Sequence, residues 1–206
     1  DLFFERIKFS HNANQGEIWN RYDPIPFRLS YHCLETFVIH PKFLKLLKKV
    51  RNAALTSDDG FFLCELFAVL SNNFQIDYFT FFKDWIKSKN EDKLLLICEL
   101  LRDSPPELLF SNHIFIQKLL GASLKNSDDC YRKIKKKLLD VGRYTPRFGT
   151  VGEPSSIDVK IKTIAEEKAK ESPKGSSLEE FYHELFESTN HWMSDSIISD
   201  GDMFDD

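Results

Sequence analysis

With 206 residues the chain is long enough to bury one large core or two small ones, and its 42% hydrophobic and 29% charged residues are ordinary for a folded protein. Its 19 phenylalanines exclude disorder over most of the length, because exposing each one costs about 1.5–3 kcal/mol. No apolar run reaches the ~18 residues of a membrane helix, and a net charge of −4 with a pI near 5.9 argues against a dedicated nucleic-acid binder.

Residues 1–32 are aromatic-rich and irregular, with Phe3, Phe4, Phe9, Trp19, Tyr22, Phe27 and Tyr31 around Pro24 and Pro26. The abrupt opening Asp1-Leu2-Phe3-Phe4 reads as the continuation of an upstream region. From residue 33 to 141 the apolar positions recur every three to four residues, which predicts helices. Pro41 suits a first helical turn; behind it Phe43, Leu46, Leu47 and Val50 form an apolar side, with Lys42, Lys45, Lys48, Lys49 and Arg51 largely elsewhere. Ser57-Asp58-Asp59-Gly60 offers caps for a second helix, Phe61–Leu70, apolar almost all round and thus buried on both sides.

The pair then recurs. Asp77 opens a helix with Phe79, Phe82, Trp85 and Ile86, and Asn90-Glu91-Asp92 opens one from Leu94 to Leu101. A third pair carries Phe115, Leu119 and Leu120, then Ser127-Asp128-Asp129 ahead of Ile134, Leu138 and Leu139. Phe43, Phe79 and Phe115 are spaced by 36 residues, and Cys64-Glu65-Leu66 returns as Cys98-Glu99-Leu100 after 34. Helix pairs at such a period predict an α-solenoid.

Gly142, Pro146, Gly149, Gly152 and Pro154 mark 142–157 as a linker. Residues 158–195 are helical again: Ser155 or Ser156 caps the first helix, Ser172-Pro173-Lys174-Gly175 breaks it, and Ser177 with Glu180 forms a capping box for the second. Phe181, Leu185, Phe186 and Trp192 are expected to dock that last helix onto the body. The tail, 196–206, is acidic. Residues 151–206 hold 14 acidic and 5 basic side chains against 18 and 23 in the rest, so a basic body meets an acidic end.

The tetratricopeptide family shares the 34-residue period, but its Trp, Leu-Gly, Tyr and Ala positions are missing here. The repeat over 33–140 more closely resembles HEAT or armadillo repeats. Leu100-Leu101-Arg102-Asp103-Ser104-Pro105, the loop Arg143–Pro154 and Phe181-Tyr182 together resemble C-terminal helical regions of large bacterial signalling or phage-defence NTPases. That resemblance implies catalytic modules elsewhere in a parent chain, and a sensor or scaffold role for this piece.

Chemistry-bearing patterns are sparse. His183, Glu187 and His191 stand at i, i+4 and i+8, but the string is His-Glu-x-x-Glu where zincins need His-Glu-x-x-His. The loop after Arg143 lacks the Gly-Lys-Ser/Thr ending of a phosphate loop. Arg6 and His11 match the Arg-x-x-x-x-His spacing of HEPN-type ribonucleases in two residues alone. Cys33, Cys64, Cys98 and Cys130 form no Cys-x-x-Cys and read as reduced core residues, which points to a cytoplasmic setting.

The expectation is an all-α protein: an α-solenoid of about three HEAT-like helix pairs with a C-terminal helical extension, or alternatively an irregular helical bundle. Its role is that of a non-catalytic interaction, scaffold or sensor module, a C-terminal fragment of a larger multidomain protein, without cofactor or membrane. Its partners are other domains of the parent chain or another protein. The alternative is a nucleic-acid-binding domain using basic helix faces, with Lys42, Lys45, Lys49, Arg132, Lys133, Lys136, Arg143 and Arg147 as the contact residues; an enzyme is the reading least supported by these patterns.

Overall fold

A computed structural model describes residues 45, 48, 49, 51, 52, 55, 78–102, 104–144 and 153–198. The chain divides into two compact units, 1–52 and 53–206. In the first, the described residues are Lys45, Lys48, Lys49, Arg51 and Asn52, all helical. The second contains, among its described residues, seven helices and no strand.

These are α1 (Tyr78–Ser88), α2 (Glu91–Leu100), α3 (Pro106–Ser111), α4 (His113–Leu124), α5 (Asp128–Tyr144), α6 (Ser156–Glu171) and α7 (Ser177–Ile198). Their starts follow from local chemistry. Asn90 accepts the Lys93 amide at 3.0 Å to open α2, and Asn112 accepts that of Phe115 at 3.4 Å to open α4. Ser127 Oγ takes the Cys130 amide at 3.0 Å at the head of α5, and Ser155 Oγ takes the Asp158 amide at 3.2 Å at that of α6. α1 ends where Lys89 turns to φ +51°, a left-handed position that usually favours glycine.

The cap of α7 lies one residue earlier than the sequence pattern indicates. Both Ser176 and Ser177 have a glutamate three positions on; the chain uses Ser176, whose Oγ accepts the Glu179 amide at 3.1 Å, while the Glu179 carboxylate reaches back to the Gly175 amide. Glu180 is thereby left for a long-range partner.

α1 packs against α2 and α4, α2 against α5, and α4 against α5. The two hairpins therefore stack first helix on first helix and second on second. Asn126 Nδ2 donates to the Lys89 carbonyl at 2.6 Å, tying the two hairpin turns together at the same end. The core between them is aromatic: Phe115 lies against Tyr78 and Phe82 with ring centroids 5.7 and 6.2 Å apart. Buried positions in α1 (Phe81, Phe82, Trp85, Ile86) reappear in α4 as Phe115, Ile116, Leu119 and Leu120. The spacing is 34, not 36, so Phe79, which is only half-buried, is not the counterpart of Phe115. The 36-residue spacing of Phe79 and Phe115 is incidental to the packing of α1 on α4.

α6 and α7 form a third hairpin, placed differently. Here the second helix, α7, lies on α4 and α5, while α6 lies on α7 and on short α3. An irregular helical bundle accommodates this arrangement. Phe181, Tyr182, Leu185 and Thr189 are buried in α7 and Trp192 is half-buried, so the expected docking stripe is present but broader than its four named residues. Burial of these rings and of Leu185 contributes about 1.5–3 kcal/mol each. The Tyr182 hydroxyl donates to the Phe110 carbonyl at 2.9 Å, which satisfies its one polar atom inside the core.

The described helices also redraw the linker. α5 continues through Gly142 to Tyr144, and α6 begins at Ser156; residues 145–152 lie outside the described set. Cys98 and Cys130 are free and buried, as expected of core thiols, and burial pushes both thiols up. Cys33, Cys64, the N-terminal segment and the Phe61–Leu70 helix fall outside the described residues.

Candidate interaction surface

The basic run on α5 is the most conspicuous charge cluster in the sequence, and its helix splits it in two. Ile134, Leu138 and Val141 face the core. Lys133, Lys135 and Lys137 flank that buried side and are consumed by acids. Lys133 Nζ meets Asp129 at 2.6 Å, one turn back, and Glu91 of α2 at 3.2 Å. Lys137 pairs with Glu99, also of α2.

Lys135 is the most enclosed of the three. Its Nζ lies 2.8 Å from Glu180 and 2.7 Å from Glu184 of α7, and 5.6 Å from the centre of the Tyr131 ring. Burial opposes its charge, yet the hydrogen bonds to the two carboxylates outweigh it and hold the ammonium above the usual lysine range. The same bond to Lys135, aided by the Tyr131 hydroxyl 3.3 Å away, keeps the Glu180 carboxyl below the usual range although desolvation works the other way. Tyr131 itself is pushed up to about 12 by burial, with Glu180 adding to the effect. The contrast between a basic body and an acidic end is thus partly realised as a local clamp between α5 and α7.

The remaining basic side chains of α5 face outward. Arg132 and Lys136 are exposed and have no carboxylate partner among the described residues; Arg132 Nε only reaches the Asp128 carbonyl at 3.4 Å. Arg143 is exposed in the last turn. In the first unit Lys45, Lys48 and Lys49 are exposed, but Arg51 is 4% exposed, with its guanidinium donating to Asn52 Oδ1 at 3.2–3.3 Å. Lys42, Arg147, Arg6 and His11 lie outside the described residues.

The metal pattern on α7 does not come together. His183, Glu187 and His191 are exposed, His183 Nε2 is 3.9 Å from Glu179, and among the described residues no group of three or more metal-ligating side chains converges. No helix of the described residues is long and apolar enough to cross a membrane.

A different surface emerges on the outer side of α1 and α4. α1 exposes Thr80, Lys83, Asp84 and Lys87; α4 exposes Ile114, Gln117, Lys118 and Leu124, with Gly121 half-exposed between them and Lys125 exposed just past its end. These stripes superpose at the same 34-residue spacing as the buried ones: Thr80 on Ile114, Lys83 on Gln117, Asp84 on Lys118 and Lys87 on Gly121. Because the two helices lie side by side in one layer, their stripes form one continuous face. Lys83, Lys87, Lys118 and Lys125 on this face, and Lys89 at its edge, have no carboxylate partner among the described residues. Ile114 and Leu124 are 49% and 47% exposed. A Cβ placed on Gly121 meets nothing within 4 Å, so the α4 backbone is open to approach there.

None of these residues forms a run, which is why composition pointed to α5. The available signal was subtraction: lysines at i+4 from an acid, such as Lys133 from Asp129, are internally neutralised, whereas Lys118 has no acid one turn away on either side. Compared with known proteins, the chain matches no family model, no curated protein and no solved structure.

Proposed function

We propose that this chain is a non-catalytic helical-repeat interaction module, with the outer face of α1 and α4 as its contact surface. The single observation that carries this is the coexistence on one face of lysines without a carboxylate partner among the described residues and two half-exposed aliphatic side chains, Ile114 and Leu124, beside an open glycine. A partner of acidic, amphipathic character uses every part of such a face. Phosphate backbone uses the lysines and has no use for Ile114 and Leu124. The stacking of α1 on α4 and α2 on α5, and the recurrence of buried positions at 34 residues, support an α-solenoid arrangement of these two hairpins. The loss of Lys133, Lys135 and Lys137 to ion pairs weighs against α5 as a polyanion site. A cytoplasmic position within a larger multidomain parent agrees with the free buried thiols and with the resemblance to helical regions of such proteins.

The test is fluorescence anisotropy with two labelled probes, an acidic amphipathic helical peptide and a short nucleic-acid duplex. Peptide binding that is lost on Lys83→Glu with Lys118→Glu supports the reading. Duplex binding that falls steeply with added salt, without peptide binding, would replace it with a nucleic-acid role.

A further inference from the structure

The α1/α4 face has a register as well as a charge. On α4 its outward positions Ile114, Gln117, Gly121 and Leu124 follow one another at intervals of three, four and three residues. That alternation is the spacing of a coiled-coil seam, with Ile114 and Gly121 at a positions and Gln117 and Leu124 at d positions. We propose that the face takes a single acidic partner helix laid along α4, its apolar side chains meeting Ile114 and Leu124, with one of them seated over Gly121. The proposal rests on the reading of this face as a contact surface, and it fixes the spacing and charge of what the face accepts.

The seam has apolar ends and an open middle. Ile114 and Leu124, 49% and 47% exposed, stand ten residues apart, about 15 Å along the helix. Between them a Cβ on Gly121 meets nothing within 4 Å, so a partner side chain enters there without displacing a neighbour. A helix whose apolar residues recur at i, i+3, i+7 and i+10 reaches both ends and the gap. An extended peptide gains less, because α4 spends its backbone hydrogen bonds internally and offers no edge for strand addition.

Positive charge flanks the seam. Phe115 lies against Tyr78 and Phe82, so Lys118, one turn later on the same flank of α4, stands on the side next to α1. Lys83 and Lys87 face outward from α1 beside it, and none of the three has a carboxylate partner among the described residues. Carboxylates along one flank of a partner helix meet all of them.

Charge also decides between partners. A second copy of this chain packed antiparallel would set Ile114 against Leu124 of that copy and Gln117 against its Gly121, which is a match in shape. It would also bring Lys83, Lys87, Lys118 and Lys125 against the same four lysines, and Asp84 is the only acid in α1 and α4. An acidic helix keeps the match and removes the repulsion.

The experiment uses the full chain and three synthetic helical peptides, followed by fluorescence anisotropy. The first carries leucines at i, i+3, i+7 and i+10 with glutamates on its flanks. The second has the same composition with its leucines spread round the helix, and the third keeps the leucine register but replaces the glutamates with lysines. Expected is binding of the first, with the other two weaker by about tenfold or more. Ile114→Ser and Leu124→Ser should each weaken the first peptide by about tenfold, both side chains being exposed in the free chain. Gly121→Ala is the sharper probe: it should raise thermal stability and lower affinity, whereas a merely structural role would move the two together.

Equal binding of the first two peptides, lost on Lys83→Glu with Lys118→Glu, overturns the register and leaves the acidic contact face standing. Concentration-dependent dimers in sedimentation that Leu124→Ser abolishes, with no peptide bound, overturn it in favour of a second copy. Binding of none of the peptides without self-association sinks the face together with its register.

Discussion

Trp192 of α7 brings its six-membered ring against the backbone of α5 at Gly142: a Cβ built on that glycine would approach Trp192 Cη2 and Cζ3 at 3.3 Å and Phe110 Cε2 at 3.2 Å. The residue that reads as the first breaker of a linker is instead a point of close approach between the last helix and α5. Glycine in a helix costs about 1 kcal/mol relative to alanine, and here the cost is offset by the contact that the missing Cβ permits.

Gly142→Ala and Gly121→Ala should therefore diverge. At Gly121 nothing lies within 4 Å, so alanine should stabilise by about 0.4–1 kcal/mol. At Gly142 two rings must shift by a few tenths of an ångström, and the gain in helix propensity should be cancelled or reversed. Thermal unfolding of the two variants checks this; equal stabilisation would mean that Trp192 is not seated on α5.

Phe181→Ala should cost about 3–5 kcal/mol, as truncations of buried aromatics do. Tyr182→Phe, which removes only the hydroxyl bound to the Phe110 carbonyl, should cost about 0.5–1.5 kcal/mol. Hydrogen exchange over α7 should rise sharply for the first and slightly for the second. Fast exchange of α7 in the unaltered chain would contradict the docking itself.

The clamp at Lys135 carries a pH signature. Glu180 is depressed below its ordinary value, so its contribution is fully present above that value and is lost as pH falls through the depressed one. Lys135 is raised, so its share is present below the ordinary lysine value and is lost as pH rises through the raised one. Acidification from neutrality should therefore loosen α7 modestly, the carboxylates being largely exposed, and Lys135→Met should flatten that response. A variant that keeps the full acid response would place its origin elsewhere.

Phe115→Ala should cost about 3–5 kcal/mol, while Phe79→Ala, half-buried at the start of α1, should cost clearly less. Equal losses in denaturant unfolding would restore the 36-residue register over the 34-residue one.

What the sequence made legible was largely local. Helix type, the Asn90 and Ser127 starts and the apolar side of α5 follow from 3.6-residue periodicity and cap chemistry, which neighbouring residues alone decide. The register was misread because Phe79 and Phe115 are chemically identical, whereas burial depends on which turn of α1 faces α4. Gly142 was misread because a helix tolerates a glycine that a distant ring covers, and nothing near it in the chain announces Trp192. Charge pairing on the surface is non-local for a similar reason. Density of charge drew attention to α5, but Glu91, Glu99, Glu180 and Glu184, which neutralise much of it, arrive from other helices. The lysines of α1 and α4 that have no carboxylate partner among the described residues are scattered in sequence and meet only once those helices lie side by side.

The outer face of α1 and α4 is best tested by amide and methyl chemical-shift mapping of the full chain with an acidic amphipathic peptide. The account predicts shifts centred on Ile114, Lys118, Gly121 and Leu124 and extending to Lys83 and Lys87, with α5 residues Arg132 and Lys136 unmoved. Shifts centred on Arg132 and Lys136 instead, with Ile114 and Leu124 silent, would contradict it.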